Sequence, residues 1–268
     1  MRKLFCFDID KTLLPAGQDA FPEKEKLALQ SLHEKKDAVA IASGRNYDGI
    51  VQYLEKEQIP FTYVIAGNGA AIYGEKGALL DEHPLTLEDL YLFRDLFYGP
   101  EATNVYALGR DNSIYLFKDD PHTDFEIAAN KLRLVKHLDA HESLSLDNPH
   151  LLKVLLSNTK GDTKSFRLTK AQQRKYDAVF SSPQTFEIMA KGMDKAYGVE
   201  FLRKHLGIAS KDVYCFGDAG NDVGMLNAFN GIAMGEATPE CRKVCKMTTK
   251  SSQDDGVYFA LHDLLKEI

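Results

Sequence analysis

The sequence predicts an α/β protein built on a parallel sheet, and two observations carry this prediction. Short apolar runs at 4–7, 38–42 and 63–66 have the length and composition of strands that are covered on both faces. Segments with helical spacing of apolar residues separate these runs. Alternating strands and helices are typical of a parallel sheet, because parallel neighbours need a crossover connection.

The composition indicates a globular protein that acts on a small molecule rather than on a charged polymer. The 268 residues suffice for one large domain or two smaller ones, and 44% of them are hydrophobic. The net charge of −6 argues against a nucleic-acid backbone or an anionic membrane as partner. No signal peptide or membrane-spanning run is found, and the four cysteines fit reduced thiols, so we expect a cytoplasmic protein.

The first 84 residues predict the opening elements of the sheet. Three strands each end at a polar residue or a glycine, and the last leads through a tight turn into a hairpin. The predicted elements are a strand at 4–7, a helix at 22–36 with Leu27, Leu29 and Leu32 on one face, a strand at 38–42, a helix with Ile50, Val51 and Leu54, a strand at 63–66, the turn Gly67-Asn68-Gly69-Ala70, and a hairpin of 71–73 with 78–80.

Residues 85–185 have a different pattern and predict an inserted α+β domain with an antiparallel sheet. Pro84 and Pro183 mark the candidate linkers, and the segments 1–84 and 186–268 together form the predicted core. The insert is predicted to contain helices at 87–98, 122–137 and 162–174, and strands at 103–108, 113–118, 151–157 and 177–182.

The last 83 residues return to the α/β pattern of the core. A helix opens at Lys195, a buried strand at 213–216 ends in a glycine-rich acidic turn, a short strand covers 231–234, and an amphipathic helix covers 257–265.

Chemically useful side chains follow the predicted strands at the point where each strand ends. In an open parallel sheet, ligands bind just outside the carboxyl ends of the strands. Two aspartates close together repel each other unless a cation or a proton lies between them. The residues at strand ends or at a strand-to-helix junction are Asp8, Asp10, Ser43, Lys195, Asp218 and Asp222.

Each of these residues has an ordinary structural interpretation when it is taken alone. A turn would account for the first aspartate pair, a helix cap for Ser43, a solvated side chain for Lys195, and a partial calcium loop for 217–222. Their occurrence together, each where the sheet would bring them to one edge, favours a single shared site.

The order of these motifs resembles the haloacid dehalogenase (HAD) superfamily. The flanking motifs Ser43-Gly44-Arg45 and Asn68-Gly69-Ala70 are similar to those of its Cof-type subfamily, IIB. The resemblance implies a Rossmann-like parallel-sheet core, with an inserted α+β cap of the C2 type whose sheet is mostly antiparallel. The motifs that carry it are Asp8-x-Asp10-x-Thr12, Ser43, Lys195 and Gly217-Asp218-x-x-Asn221-Asp222.

This resemblance implies a Mg²⁺-dependent phosphatase. Asp8 would attack phosphorus and become an aspartyl phosphate, and Asp10 would act as general acid and then as general base. The implied metal ligands are Asp8, the backbone carbonyl of Asp10, and Asp218. Lys195 would offset the negative charge of the site and Ser43 would donate to a phosphoryl oxygen. The implied phosphate-binding or supporting residues are Thr12, Gly44, Arg45, Asn221 and Asp222, although a structural ion pair is equally consistent with Arg45.

The expected substrate is a small phosphorylated metabolite, with a sugar phosphate as the best candidate from the resemblance. A phosphomutase that uses the same intermediate, and a phospholigand-binding protein without turnover, are the alternatives. Lys11 stands where many Cof-type proteins have glycine, which predicts either an ordinary right-handed turn or a strained one. Five polar residues of the insert are interpreted as surface side chains rather than as site residues: Arg110, Asp111, His122, His150 and Lys153.

Overall fold

The computed structural model describes residues 2–97, 103–138 and 149–268, and in these ranges it contains two sheets. The predicted class, a parallel-sheet α/β core with a second, mostly antiparallel sheet, is confirmed. The strands are β1 Leu4–Phe7, β2 Ala38–Ala42, β3 Tyr63–Ala66, β4 Ala71–Tyr73, β5 Leu79–Glu82, β6 Thr103–Gly109, β7 Ser113–Leu116, β8 Leu134–His137, β9 Leu151–Asn158, β10 Tyr176–Ser182, β11 Thr185–Ala190, β12 Val213–Gly217, β13 Asn230–Ala233 and β14 Met247–Thr248.

The helices of the described ranges lie between these strands. The last of them continues into a π-helical turn at Ala260–Leu264, so the predicted closing helix is present in two parts. The helices are α1 Glu23–Glu34, α2 Tyr47–Lys56, α3 Leu87–Phe97, α4 Pro121–Asn130, α5 Lys195–His205, α6 Val223–Ala228, α7 Pro239–Val244 and α8 Gly256–Phe259.

The larger sheet has eight strands in the order β14-β13-β12-β1-β2-β3-β4-β5. Its central strand β1 is fully buried and pairs in parallel with β12 on one side and β2 on the other. Phe7 lies opposite Phe216 in this register, and their rings stack with centroids 4.8 Å apart. Because the two strands run in register, the residues that follow them emerge side by side at one edge.

The smaller sheet has six strands in the order β10-β11-β9-β6-β7-β8. Its pairings are antiparallel except for β7 with β8. β11 lies between β10 and β9, so the predicted return to the core at residue 186 falls inside a strand of the smaller sheet. The division into 1–84 with 186–268 and an insert of 85–185 stays a prediction.

Three details of the predicted secondary structure were wrong. The helix predicted at 122–137 ends at Asn130, because Lys131 adopts a left-handed conformation with φ of 52° and the chain then forms β8. The helix predicted at 162–174 is reduced to a 3₁₀ turn at Gln172–Arg174. Leu27 is exposed on α1, because it lies only two positions from the buried Leu29 and therefore on another face.

Side-chain caps fix the starts of the helices that lead away from the sheet edge. The Asn46 side chain accepts from Gly49 N at 2.8 Å at the start of α2. The Asp194 side chain accepts from Tyr197 N at 2.7 Å at the start of α5. These caps hold Lys195 and the segment after Ser43 in fixed positions.

Within the described ranges, no helix combines the length and apolar character needed to cross a membrane.

Candidate active site

The carboxyl ends of three neighbouring parallel strands bring Asp8, Ser43 and Asp218 together. They follow β1, β2 and β12, and each is at most 6% exposed. All three line one cavity of about 410 Å³, as do Asp10, Gly44, Arg45 and Asn221. Thus seven of the ten predicted site residues face one space between the two sheets.

Lys195 lies behind this cavity as the first residue of α5 and is fully buried. Its Nζ donates to Asp8 Oδ1 and to Asp222 Oδ1, each at 2.6 Å. Burial alone would lower the pKa of Lys195, but the carboxylates of Asp222 and Asp8 raise it above its ordinary value. Lys195 is therefore a buried ammonium that holds one oxygen of Asp8.

Asp222 shapes the loop that presents Asp218. Its Oδ2 accepts from Asp218 N at 2.9 Å and from Ala219 N at 3.1 Å, while its Oδ1 binds Lys195. A Cβ at Gly217 would lie 2.5 Å from the Asp222 Cγ, so a glycine at this position makes room for the carboxylate. Asp222 thus supports the site through Lys195 and the loop backbone, with both of its oxygens engaged.

Asp8, Asp218 and Asp222 form an acidic cluster that could hold a metal ion. Each offers an oxygen, and these atoms lie within 4.8 Å of one another. Among the described residues, no donor reaches the Asp218 carboxylate or Asp8 Oδ2. Burial and the Asp222 carboxylate raise the pKa of Asp218 to about 7, and burial likewise raises the pKa of Asp8. The unused oxygens of Asp8 and Asp218 fit a hard divalent cation, whereas both oxygens of Asp222 are already engaged.

Asp10 turns its side chain toward Arg45 rather than into the acidic cluster. Arg45 Nη2 donates to Asp10 Oδ1 at 2.7 Å and Arg45 Nε donates to Asp10 Oδ2 at 3.1 Å, a bidentate pair. Arg45 Nη1 also donates to Ala129 O of α4 at 2.8 Å. Arg45 therefore forms a structural ion pair and at the same time lines the cavity beside Asp10.

The remaining residues near the first strand differ in their placement. Lys11 has a φ of 60°, so of its two predicted conformations the structure shows the strained, left-handed one. Thr12 is fully buried and does not line the cavity, and its Oγ1 has no hydrogen-bond partner among the described residues. Asn221 Nδ2 donates to Asn68 Oδ1 at 3.1 Å, which ties the acidic loop to the turn after β3.

The opposite wall of the cavity comes from the smaller sheet and was missed at the sequence level. It includes Glu126 of α4, Lys153 of β9 and Glu187 of β11. The interpretation of Lys153 as a surface side chain is wrong, because Lys153 is 3% exposed and pairs with Glu187. The signal was available, since one lysine inside the apolar run 151–156 must find a buried partner. His122 also lines the cavity, whereas Arg110, Asp111 and His150 do not.

Comparison with known proteins identifies the family. A family model described as haloacid dehalogenase-like hydrolase matches residues 5–261. The chain belongs to this family. The predicted resemblance is thereby confirmed, and so is the prediction of an enzyme of the HAD phosphatase type.

Relatives of this HAD chain extend over most of its length. A Bacillus subtilis protein, YxeH, provisionally named a phosphatase, is 28% identical over 99% of both chains. The HMP-PP phosphatase of Cronobacter sakazakii is 29% identical over 90% of this chain and 86% of its own. A solved sugar phosphatase of HAD subclass IIB superposes with a TM-score of 0.81 over 98% of both chains, at 21% identity, which shows the common fold.

Proposed function

We propose that this HAD enzyme is a Mg²⁺-dependent phosphatase that hydrolyses a small phosphorylated metabolite, with a sugar phosphate as the leading candidate. The observation that carries the proposal is the arrangement of Asp8, which Lys195 holds at 2.6 Å beside the carboxylate of Asp218. A module that only binds phosphate has no need for a buried nucleophile fixed by a buried cation.

Asp8 is the nucleophile in this proposal. Lys195 holds its Oδ1, and Oδ2 has no donor among the described residues, so Oδ2 can attack phosphorus in line with the ester oxygen. The Oδ2–P bond forms as the P–O ester bond breaks, which leaves an aspartyl phosphate and an alkoxide. The Lys195 ammonium offsets the negative charge that gathers on these groups.

Asp10 is the general acid and base. In its protonated form it gives a proton to the leaving alkoxide, and its carboxylate then takes a proton from the water that attacks the aspartyl phosphate. That second displacement releases inorganic phosphate and restores Asp8. In the structure both Asp10 oxygens accept from Arg45, so Asp10 is held as a carboxylate, and the general-acid step requires that one oxygen leave this contact to carry the proton.

The donor set favours Mg²⁺ as the cation, because all the available ligands are hard oxygens. Asp8 and Asp218 would hold it, together with the Asp10 backbone carbonyl implied by the family resemblance. When bound, Mg²⁺ would supply charge neutralisation for the transferred phosphoryl group. Ser43, at the end of β2, lines the same cavity, which supports its proposed role as a donor to a phosphoryl oxygen.

Two observations support a small substrate. The cavity of about 410 Å³ lies within the range of small-molecule sites. Relatives and structural neighbours named HMP-PP phosphatase and sugar phosphatase act on small phosphorylated compounds by name. The acidic net charge of −6 supports a partner that is neither nucleic acid nor a membrane.

Phosphate release from a panel of sugar phosphates and p-nitrophenyl phosphate tests the proposal. We expect release of free phosphate, rather than a positional isomer of the sugar phosphate, that requires Mg²⁺ and stops with a chelator. Turnover that is equally fast after exhaustive chelation would contradict the metal assignment. No release from any compound in the panel would contradict the proposed activity.

A further inference from the structure

Three buried charged side chains line the cavity on the side opposite Asp8. They are Glu126, Lys153 and Glu187, which we call the Lys153 cluster. Lys153 Nζ donates to Glu187 Oε1 at 2.9 Å, and both side chains are almost fully buried. None of them contacts Asp8, Lys195 or Asp218, so the proposed displacement at phosphorus does not use them.

Glu187 is committed through both of its oxygens. Its Oε1 binds Lys153, and its Oε2 accepts from Asn68 Nδ2 at 2.5 Å. Asn68 is part of the turn after β3 and accepts in turn from Asn221 of the acidic loop. This chain of hydrogen bonds fixes Lys153 at a set position relative to the loop of Asp218.

Lys153 keeps donors that face the cavity. An ammonium has three N–H donors, and among the described residues Glu187 is its sole hydrogen-bond acceptor. Glu126 accepts from Asn130 Nδ2 at 2.8 Å through Oε2, which leaves its other oxygen as an acceptor for a ligand. The cluster therefore offers donors and an acceptor side by side, a combination that suits hydroxyl groups.

The cluster has no surplus positive charge. The charge of Lys153 is neutralised by Glu187. Burial raises the pKa of Glu126 above its ordinary value although Lys153 opposes this, and a glutamate adds no positive charge in either form. Apart from the imidazole of His122, the rest of this wall has no ionisable side chain, and it combines polar residues such as Ser181 and Gln184 with the apolar Phe125 and Ala129. A second anionic group on the substrate would lose its hydration here without gaining a free counter-charge.

We propose that Lys153 and Glu126 recognise the leaving group of the substrate, and that the neutralised Lys153 cluster selects a neutral, hydroxyl-bearing leaving group over one with a second anionic group. This inference rests on the proposed phosphatase function and assigns residues that determine its specificity.

Lys11 is the competing site for a second anion. It lines the cavity from the side of the larger sheet and makes no ion pair with a described residue. If Lys11 bound a second anionic group, the charge of the Lys153 cluster would not decide specificity. The experiment therefore includes a Lys11→Gln variant.

Three phosphate esters separate the contributions, and each is assayed with Mg²⁺ at the same pH. Glucose 6-phosphate has a neutral hydroxylated leaving group, 6-phosphogluconate has an open-chain hydroxylated leaving group with a carboxylate at C1, and the leaving group of phenyl phosphate has no further hydroxyl group. For the wild type we expect kcat/KM for glucose 6-phosphate to exceed that for 6-phosphogluconate by about tenfold or more, the effect of one uncompensated charge contact. Equal values for the two sugars would overturn the proposal, and a loss of 6-phosphogluconate turnover in Lys11→Gln would then assign the second anion to Lys11.

Lys153→Met tests the donor. Loss of one charged hydrogen bond should lower kcat/KM for glucose 6-phosphate by about 10- to 100-fold more than kcat/KM for phenyl phosphate, since the phenol leaving group gives Lys153 no hydroxyl partner. The double variant Lys153→Met, Glu187→Gln gives the same result without an unpaired buried carboxylate. The exposed Lys170→Met is the matched control. Equal losses for both substrates in the double variant would overturn the proposal.

Glu187→Gln tests the charge balance by leaving the Lys153 ammonium without its counter-charge. We expect the ratio of kcat/KM for 6-phosphogluconate to that for glucose 6-phosphate to rise by about tenfold. A merely structural role for Glu187 would lower both values and leave their ratio unchanged, and that result would overturn the proposal. Failure of all three compounds to release phosphate in the wild type would instead overturn the proposed function itself.

Discussion

The two walls of the cavity differ in how their polar side chains are held. On the larger sheet, Asp8 and Asp218 stand at strand ends, and their positions follow from strand order alone. On the smaller sheet, Lys153 and Glu187 lie within strands that carry mostly apolar residues, and each depends on the other to be buried. The proposed reaction at phosphorus uses the first wall, and the proposed recognition of the leaving group uses the second.

Among the substitutions in the first wall, replacement of Lys195 should have the largest effect on stability and activity. Lys195→Met would leave Asp8 and Asp222 as buried carboxylates without their shared ammonium. We expect the free energy of unfolding to fall by about 3–5 kcal/mol and phosphate release to be lost. Urea unfolding and a phosphate assay measure the two effects, with the exposed Lys170→Met as control. An unfolding midpoint equal to that of the wild type would show that the triad is not a coupled buried unit.

A substitution at Gly69 tests the close packing of the turn after β3 against the backbone of Asp194. Its φ is +100°, and a Cβ there would lie 2.1 Å from the carbonyl oxygen of Asp194, next to Lys195. We expect Gly69→Ala to cost about 2–4 kcal/mol of unfolding free energy, from backbone strain and a backbone clash together. Gly17→Ala is the matched control, since Gly17 has a φ of +78° with no atom within 4 Å of the added Cβ. Similar costs in the two variants would mean that strain alone, and not packing against Asp194, accounts for the effect.

Glu25 lies in helix α1 beside the larger sheet, and its buried carboxyl group predicts a stability that depends on pH. Burial raises its pKa to about 7, although Tyr258 N and Val257 N donate to its carboxylate. Since the folded pKa exceeds the ordinary value, the contribution of Glu25 to the free energy of unfolding is full below about pH 4.5 and is lost as the pH rises to about 7, by about 3 kcal/mol in total. We expect Glu25→Gln to remove this decline, so that the variant gains on the wild type between pH 4.5 and pH 8. A stability difference that is constant over this range, as expected for the exposed Glu34→Gln, would contradict the account.

Asp89 lies in helix α3 beside the smaller sheet. Its contribution to stability should depend on pH in the opposite direction from that of Glu25. Burial raises its pKa, but hydrogen bonds from Lys175 Nζ at 2.8 Å and Tyr176 Oη at 2.5 Å lower it by more, so its pKa lies below its ordinary value. The stabilisation is present above about pH 4 and is lost as the pH falls through the lowered pKa. We expect Asp89→Asn to cost about 1–2 kcal/mol at neutral pH and less in acid. Thermal unfolding across pH measures this, and a cost that grows toward low pH would contradict it; the exposed Asp95→Asn is the control.

The larger sheet could be predicted from the sequence because the residues that define each strand and its end are neighbours in the sequence. Strand β1 and the residues after it can be identified from one apolar run and two aspartates, and parallel order then places Asp8 near Asp218. The confirmed family adds to this, because its motifs span the chain. The assignment of roles to individual residues stays a prediction.

The smaller sheet could not be predicted to the same extent because its polar contacts join distant segments. Lys153 and Glu187 are 34 residues apart, and neither has a neighbour in sequence that indicates the pair. β8 was predicted as helix because a four-residue segment takes its conformation from pairing with β7 rather than from its own pattern. The strained conformation of Lys11 is likewise held by the surrounding turn, where Lys11 N donates to Leu14 O at 2.7 Å.

The most direct test of the account is phosphate release by Asp8→Asn with Mg²⁺ and the best sugar phosphate from the panel. The substitution keeps the shape of the side chain and removes its nucleophilic carboxylate. We predict a loss of turnover of about a thousandfold or more, with an unchanged cavity and with wild-type activity in the exposed control Asp263→Asn. Turnover by Asp8→Asn at the wild-type rate would contradict the assignment of Asp8 as nucleophile.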